Sequence, residues 1–199
     1  RTEDNLGYDT APQFSPTGNL TWLQMKRDGY EADKNDIIVE FKGIKTNLTA
    51  NWDGTVDNFI WSKDGKNVYF VAPVDGTKQL FVVNFPGLTR IAIQVRQITK
   101  GDFDVNDLVG FAGDDIIVTR NDMNHAPEIY SFNLKKNTWK QLSNVNTDTY
   151  KTLALSKTEK RYVTTTDGKK MLVWVILPPN FDATKKYPTL LFCQGGPQS

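Results

Sequence analysis

The residues best suited to chemistry stand at the carboxyl end of this chain. Gly195 and Gly196 follow an unbroken apolar run, Thr189–Cys193, and Pro197 comes directly after them. An apolar run without polar alternation is typical of a strand in a parallel sheet that is covered on both faces. Two glycines at the carboxyl end of such a strand let backbone N–H groups point into a crevice. Because such groups can stabilise a developing oxyanion, we expect an oxyanion-binding loop here.

The other groups that this chemistry needs are absent from the sequence. Hydrolysis by a serine requires a nucleophile, a base and an orienting carboxylate, and no Gly-x-Ser-x-Gly motif occurs. Cys193 is the single cysteine and His125 the single histidine, too few for a zinc site or a Cys-His pair. We expect Cys193 to be a buried strand residue. His125 lies at the start of a predicted strand, where we expect a hydrogen-bonding role.

Upstream of the loop, the sequence contains three similar units. Each has a turn signal, an apolar strand, a second strand of aromatic and β-branched residues, and a polar-apolar-Thr/Ser tag. The tags are Asn47-Leu48-Thr49, Gln97-Ile98-Thr99 and Gln141-Leu142-Ser143. A period of about 40 to 50 residues with several short strands per unit is typical of β-propeller blades. A β-sandwich is the alternative, and the self-similarity favours the propeller.

The pattern changes near Ser156. Tyr162–Thr166 and the apolar stretch Met171–Leu177 flank Asp167-Gly168, which is a strong hairpin signal. Residues 145–155 either add strands to the last blade or begin the crossover to another domain. Three blades do not close a propeller, because each needs neighbours on both faces. We therefore expect further blades upstream, outside this sequence.

The carboxyl-terminal segments together resemble the prolyl-oligopeptidase family of serine peptidases. Gly195-Gly196-Pro197 is similar to the HGGP-type loop of α/β-hydrolases. Residues 166–182 and Lys185–Pro188 resemble the segment that leads into the family's catalytic domain. The resemblance implies a mainly β chain, with the C-terminal part of a β-propeller at 1–155 and the first strands of an α/β-hydrolase domain at 156–199.

The resemblance also implies a function. The Ser-Asp-His triad is expected beyond Ser199, so this chain alone should be inactive. In dipeptidyl peptidases the residue before the Gly-Pro element is a Tyr that donates to the oxyanion, and here it is Gln194. Its side-chain amide can take that role, or the backbone N–H groups of Gly195 and Gly196 can act alone. No metal or organic cofactor is expected.

A charged loop, residues 25–34, is the second candidate site. In dipeptidyl peptidases, acidic residues of the propeller bind the substrate's α-ammonium group, and Glu31 and Asp33, with Arg27, are the candidates here. The loop resembles the dipeptidyl peptidase 5 type. The alternative is a solvated turn in which Arg27 pairs with Asp28 at the surface.

Composition excludes several other classes. The chain is 39% hydrophobic and 24% charged with a net charge of +1, as in ordinary folded proteins. Nothing in this balance favours nucleic acid or an anionic membrane as a partner. No apolar window reaches the length of a membrane span, and the polar opening Arg1–Asn5 is read as an internal start.

The predicted function is removal of N-terminal dipeptides from short peptides by the full-length protein. The expected partners are a peptide substrate and the rest of the same polypeptide, with a homodimer left open. The family suggests a periplasmic or secreted protein. The alternatives are an acylaminoacyl-peptidase-like member of the family and a non-enzymatic TolB-like propeller module. The strand that ends at Gln194-Gly195-Gly196 favours the enzyme, because a pure propeller would close on another blade.

Overall fold

The computed structural model describes residues 2–193, most of whose ordered elements are β-strands. Three four-stranded antiparallel sheets follow one another, each with its strands in chain order, and a two-stranded sheet comes after them. The first sheet consists of β1 Asp9–Phe14, β2 Leu20–Gln24, β3 Asp36–Phe41 and β4 Ile44–Asn47. The second consists of β5 Asn58–Trp61, β6 Asn67–Val74, β7 Thr77–Asn84 and β8 Val95–Gln97. The third consists of β9 Asp104–Ala112, β10 Asp115–Asp122, β11 His125–Asn133 and β12 Thr138–Gln141.

Each predicted repeat is one of these sheets, which we call blades one, two and three. Blade two lies between the other two, and its strands bury side chains on both faces. On β6, Phe70 and Ala72 belong to a core shared with blade one. Val71 belongs to a second core, shared with blade three. This alternation is the period of two that a strand imposes on its side chains.

The turn signals at the start of the first two units form matching turns. Ser15 and Ser62 each accept a hydrogen bond at their carbonyl from the glycine three residues on, at 2.9 Å in both blades. Gly18 and Gly65 have φ values of +82° and +67°. A left-handed backbone at this position favours glycine, which explains the shared Ser-x-x-Gly pattern.

The Thr/Ser tags tie the outer end of each blade to its third strand. In blade two, Thr99 Oγ1 accepts a hydrogen bond from the Leu80 amide at 2.9 Å and donates one to Gln79 Oε1 at 2.8 Å. Blade one has the same arrangement of Thr49 with Ile37 and Asp36, and blade three has Ser143 with Ile129 and Glu128. The repeated tag is therefore a hydrogen-bonded latch that satisfies an otherwise unpaired strand amide.

Neighbouring blades are joined by polar contacts as well as by their cores. Trp61 Nε1 donates to Thr21 Oγ1 at 3.0 Å between blades one and two, and Asn58 Nδ2 donates to the Asn106 carbonyl at 2.7 Å between blades two and three. The three sheets described do not close into a ring.

The segment after blade three contains a short helix and a hairpin. Helix α1 spans Thr147–Tyr150, so residues 145–155 add a helical turn to the fold and no strand. Strands β13 Lys157–Thr164 and β14 Lys170–Leu177 then pair over all eight residues around the turn that contains Asp167-Gly168, as the sequence predicts.

The buried strand predicted at residues 189–193 is not formed. These residues lie in no strand, and Leu190 and Phe192 are 96% and 88% exposed. Cys193, expected to be buried, is also exposed. Strands need hydrogen-bonding neighbours, and a parallel strand also needs layers on both faces. No such neighbours surround this run within the described residues.

Candidate functional site

One end of the blades gathers the segments that the sequence singles out. All three blades have the same strand order, so their connections from second to third strand lie at the same end. These connections are the charged loop at residues 25–35 in blade one, Asp75-Gly76 in blade two, and Met123-Asn124 in blade three. The hairpin β13–β14 contacts this same end.

The hairpin is held against blades two and three by a polar cluster. Tyr162 donates a hydrogen bond from its hydroxyl to the carboxylate of Asp75. Lys160 Nζ lies 2.9 Å from a carboxylate oxygen of Asp102 and 3.8 Å from one of Asp75. Hydrogen bonding and the adjacent negative charge of Asp75 raise the pKa of Tyr162. These contacts hold the hairpin against blades two and three.

Gly76 provides the closest approach of hairpin and blade. Its φ is +72°, as expected in a two-residue turn, and a Cβ added there would clash with the Leu172 side chain and come within 3.1 Å of Trp174 Nε1. Asn124 Nδ2 makes a further bond to the carbonyl of Ser156, at 2.8 Å. Nothing in the sequence indicated this docking surface. The dipeptide Asp75-Gly76 was readable as a hairpin turn, but its contact with a segment 87 residues later was not.

The charged loop of blade one is folded on an internal ion pair. Arg27 Nε lies 2.8 Å and 3.0 Å from the two carboxylate oxygens of Asp33, and the Arg27 amide donates to the same carboxylate at 2.9 Å. The surface pairing of Arg27 with Asp28, the alternative raised from the sequence, is therefore not the one that forms. Asp33 is reached because the chain reverses at Gly29, whose φ is +68°.

This ion pair shifts the pKa values of both its partners. Hydrogen bonding to Arg27 lowers the pKa of Asp33, and the same bond raises the pKa of Arg27. The Arg27 guanidinium lies 3.9 Å from the centre of the Tyr30 ring, which is exposed. Asp33 is thus an ionised carboxylate in a defined position.

The far side of the loop is anchored to the blade. Lys34 Nζ donates to the carbonyls of Thr49 and Trp52 at 3.1 Å and 2.9 Å and lies 2.9 Å from the Asp36 carboxylate. Glu31, the other acidic candidate, is an exposed residue between Tyr30 and this anchor. The structure therefore brings Arg27 and Asp33 into direct contact and keeps Glu31 in the same loop.

Two other features that the sequence singles out are the Gln194 loop and His125. Gln194, Gly195 and Gly196 lie outside the described residues, so their predicted oxyanion role stays a prediction. His125 begins β11, and its Nδ1 lies 2.8 Å from the Asp122 carboxylate, which agrees with the hydrogen-bonding role expected for it.

Residues 2–193 contain no cluster of three or more His, Cys, Asp or Glu arranged to hold a metal. Over the same residues, no helix has the length and apolar character needed to cross a bilayer.

Comparison with known proteins assigns this architecture to a family. The family model described as the dipeptidyl peptidase IV (DPP IV) N-terminal region matches residues 24–172. The chain belongs to this family. The match includes the last two strands of blade one, all of blades two and three, and the docked hairpin up to Leu172 in β14.

Two curated relatives carry the same enzyme name. The chain is 42% identical over 203 residues to dipeptidyl-peptidase 5 of Porphyromonas endodontalis and 36% identical over 201 residues to that of Porphyromonas gingivalis. Both alignments cover 100% of this chain and 28% of the relative. The chain thus spans little more than a quarter of the length of these family members. The family predicted from the sequence is confirmed.

Solved structures agree on the fold. An acylaminoacyl peptidase in complex with Z-Gly-Gly-Phe-chloromethyl ketone matches 89% of this chain, 26% of its own length, with a TM-score of 0.70 and 18% identity. The β-propeller domain of the Trilobed protease from Pyrococcus furiosus matches 71% of this chain, 38% of its own length, with a TM-score of 0.52 and 16% identity. The three four-stranded sheets of this chain are therefore propeller blades, as predicted.

Proposed function

We propose that the full-length protein is a serine exopeptidase that removes dipeptides from the N-terminus of short peptides. The observation that carries the proposal is the sequence identity of 36% and 42%, over the whole of this chain, to two proteins named dipeptidyl-peptidase 5. In this reading, residues 1–155 belong to the propeller, residues 156–199 begin the α/β-hydrolase domain, and the Ser-Asp-His triad lies in the remainder of the polypeptide.

The arrangement at one end of the blades supports this assignment. The charged loop of blade one and the hairpin docked on blade two lie at the same end. A catalytic domain that continues from the hairpin would therefore start on the side of the propeller that carries the charged loop. A substrate held by the loop would then face the catalytic domain.

Within the loop, we assign the binding of the substrate's α-ammonium group to the carboxylates of Asp33 and Glu31. Arg27 positions Asp33 through hydrogen bonds from its guanidinium and its backbone amide to the carboxylate, and the Tyr30 ring packs against the guanidinium. A carboxylate that is already ionised and oriented binds a cation without first being ordered. Fixing the α-ammonium group in this way would set the distance to the scissile bond.

At the carboxyl end, we assign oxyanion stabilisation to the loop Gln194-Gly195-Gly196. Either the amide of Gln194 or the backbone N–H groups of the glycines donates. Replacing Gln194 with Ala in the full-length enzyme separates the two, because a backbone oxyanion hole would keep its rate within a few fold. We also propose a periplasmic or secreted location, with a peptide as the substrate.

The deciding experiment uses the full-length protein and two chromogenic dipeptide substrates that differ only in N-acetylation. We expect hydrolysis of the free-amine substrate to be faster by about tenfold or more, because the acetylated one lacks the charge that the loop binds. A serine-directed phosphofluoridate should abolish the activity. Preference for acylated substrates would indicate an acylaminoacyl peptidase, and no hydrolysis of either would favour a TolB-like binding module.

The role of the loop is tested by Asp33→Asn and Arg27→Met in the full-length enzyme. If Asp33 binds the α-ammonium group, Asp33→Asn should raise KM by about tenfold, since a charge-assisted hydrogen bond is lost. Arg27→Met should have a smaller effect, because the carboxylate is still present. Glu31→Gln provides the same comparison for the second carboxylate. Equal effects of the Asp33 and Arg27 changes would instead mean that the pair only orders the loop.

A further inference from the structure

Blade three contains a groove that the proposed peptidase function does not use. Its cavity volume is about 530 Å³, within the usual range of small-molecule sites. Strands β10, β11 and β12 contribute Arg120, Glu128, Tyr130 and Gln141, and helix α1 contributes Tyr150. The groove therefore combines a sheet floor with a wall formed by the segment after the last blade.

Arg120 is the unusual residue of this groove. It is half-buried, at the position on β10 where alternation continues from the buried Ile116 and Val118. Its guanidinium lies 3.9 Å from the Phe103 ring centre and about 5 Å from those of Tyr130 and Trp139. Aromatic rings around a guanidinium fix the plane of the group while leaving its N–H edge available.

That edge has no hydrogen-bond acceptor or ion-pair partner among residues 2–193. Burial lowers the pKa of Arg120, although an arginine stays protonated in proteins. A partly desolvated cation is costly unless it is paired with an anion. The groove thus contains an ordered cation whose donors are not satisfied by the surrounding strands.

The neighbouring carboxylates are bound to other groups. Glu128 lies directly opposite Arg120 in the β10–β11 register, but its carboxylate accepts hydrogen bonds from the Ser143 hydroxyl and the Asn146 amide. Asp122 accepts bonds from His125 and from the amide of Asn124. The lysine among the lining residues, Lys151, pairs with Asp148. Arg120 is therefore the lining cation left for an external anion.

We propose that this groove binds a small ligand through a carboxylate group that pairs with Arg120. A planar carboxylate matches the two parallel N–H donors on the edge of a guanidinium whose faces are occupied by aromatic rings. The inference is independent of the proposed peptidase function, since no residue of the charged loop lines the groove.

Calorimetric titration of the full-length protein with N-acetylglycylglycine and with its C-terminal amide tests the proposal. The two probes differ in the carboxylate alone, and acetylation removes the amine on which an exopeptidase would act. We expect the acid to bind about tenfold or more tightly than the amide, the usual effect of one charge-assisted pair. Equal binding of the two probes would overturn the proposal, as would inorganic phosphate displacing the acid at equal concentration.

Variants locate the effect. Arg120→Met keeps an unbranched side chain against the rings and should abolish the preference for the acid. Arg90→Met removes an exposed arginine elsewhere on blade two and should leave the preference unchanged. Retention of the preference in a folded Arg120→Met protein would contradict the assignment.

A crystal structure of the full-length protein with N-acetylglycylglycine gives a test that needs no variant. We expect both carboxylate oxygens within about 3.2 Å of guanidinium nitrogens of Arg120. An Asp or Glu from the rest of the polypeptide in that position would show that the cation is paired internally, and the ligand site would be ruled out.

Discussion

Two strand pairs of equal length, β6–β7 in blade two and the hairpin β13–β14, differ in how much of their surface the protein covers. Each pairs eight residues with eight in a complete register. Most of β6 and β7 is buried, whereas β13 and β14 have no fully buried residue. Yet β14, Lys170–Leu177, is as apolar as β6. Burial therefore depends on the layers that pack on a sheet, and a strand's own sequence cannot supply those layers.

The largest expected difference between the pairs comes from removing an apolar side chain. Phe70→Ala in β6 deletes a fully buried ring that stacks on Phe81 at a centroid distance of 5.4 Å. We expect it to lower the free energy of unfolding by about 3 to 5 kcal/mol. Ile176→Ala in β14, where the side chain is 60% exposed, should cost less than about 1 kcal/mol. Denaturant unfolding of residues 1–199 measures both.

The same Ile176→Ala change in the full-length protein sharpens the comparison. If the rest of the polypeptide covers the hairpin, its cost should rise toward that of a core position. An equally small cost in both proteins would mean that the exposure of β14 is a permanent feature of the fold.

Removing a threonine hydroxyl should also cost different amounts of unfolding free energy in the two regions. Thr99→Val in blade two leaves the buried Leu80 amide without its acceptor, which should cost about 1 to 3 kcal/mol. Thr165→Val in the hairpin turn removes bonds to Asp167 and to the Lys169 carbonyl that are exposed to solvent, and its cost should be under about 1 kcal/mol because water replaces them. Similar losses of unfolding free energy, measured by thermal unfolding, would show that burial does not control the strength of these hydrogen bonds.

The docking of the hairpin can be broken at Gly76. Alanine there meets two penalties, a left-handed backbone worth about 1 to 2 kcal/mol and a clash with Leu172. The matched control is Gly87→Ala, where φ is +57° but the surrounding space is open. We expect only Gly76→Ala to increase hydrogen exchange throughout β13 and β14. Unchanged exchange would indicate that the polar cluster around Asp75 is sufficient for docking.

The smallest effect concerns pH and the latch of blade three. The hydrogen bond from Ser143 lowers the pKa of Glu128, so the ionised form stabilises the fold above the ordinary glutamate pKa, and this contribution is lost as the pH falls through the lowered value. Blade two has the neutral Gln79 at the same place. Glu128→Gln should therefore flatten part of the decline in unfolding free energy on acidification, measured by denaturant titration at several pH values. An identical decline in the variant would contradict this account.

How far the sequence predicts the fold depends on the kind of strand. Second and third strands, such as Leu20–Gln24 and Thr77–Asn84, have the apolar runs from which the repeat was recognised. First and fourth strands such as Asp9–Phe14 and Val95–Gln97 are short or polar and were seen only as turns and tags. They lie at the two edges of each blade, where packing demands fewer apolar side chains.

The candidate sites were predicted to a similar extent. The charged loop was found from its residues, but its pairing was not, because Arg27 reaches Asp33 only after the chain reverses at Gly29. The sequence did not mark Arg120 as a candidate site residue, since the rings around its guanidinium come from three separate segments that meet only in the folded blade.

The three blades of this chain, their turns and Thr/Ser tags, and the hairpin could be predicted from the sequence, because each of these depends on residues close along the chain or on a repeated pattern. Packing of the folded chain sets where the hairpin docks, that residues 189–193 are exposed, and that the Arg120 guanidinium has no hydrogen-bond acceptor among residues 2–193. Those features depend on which surfaces meet, and contacts between distant segments are set by the packing of whole sheets.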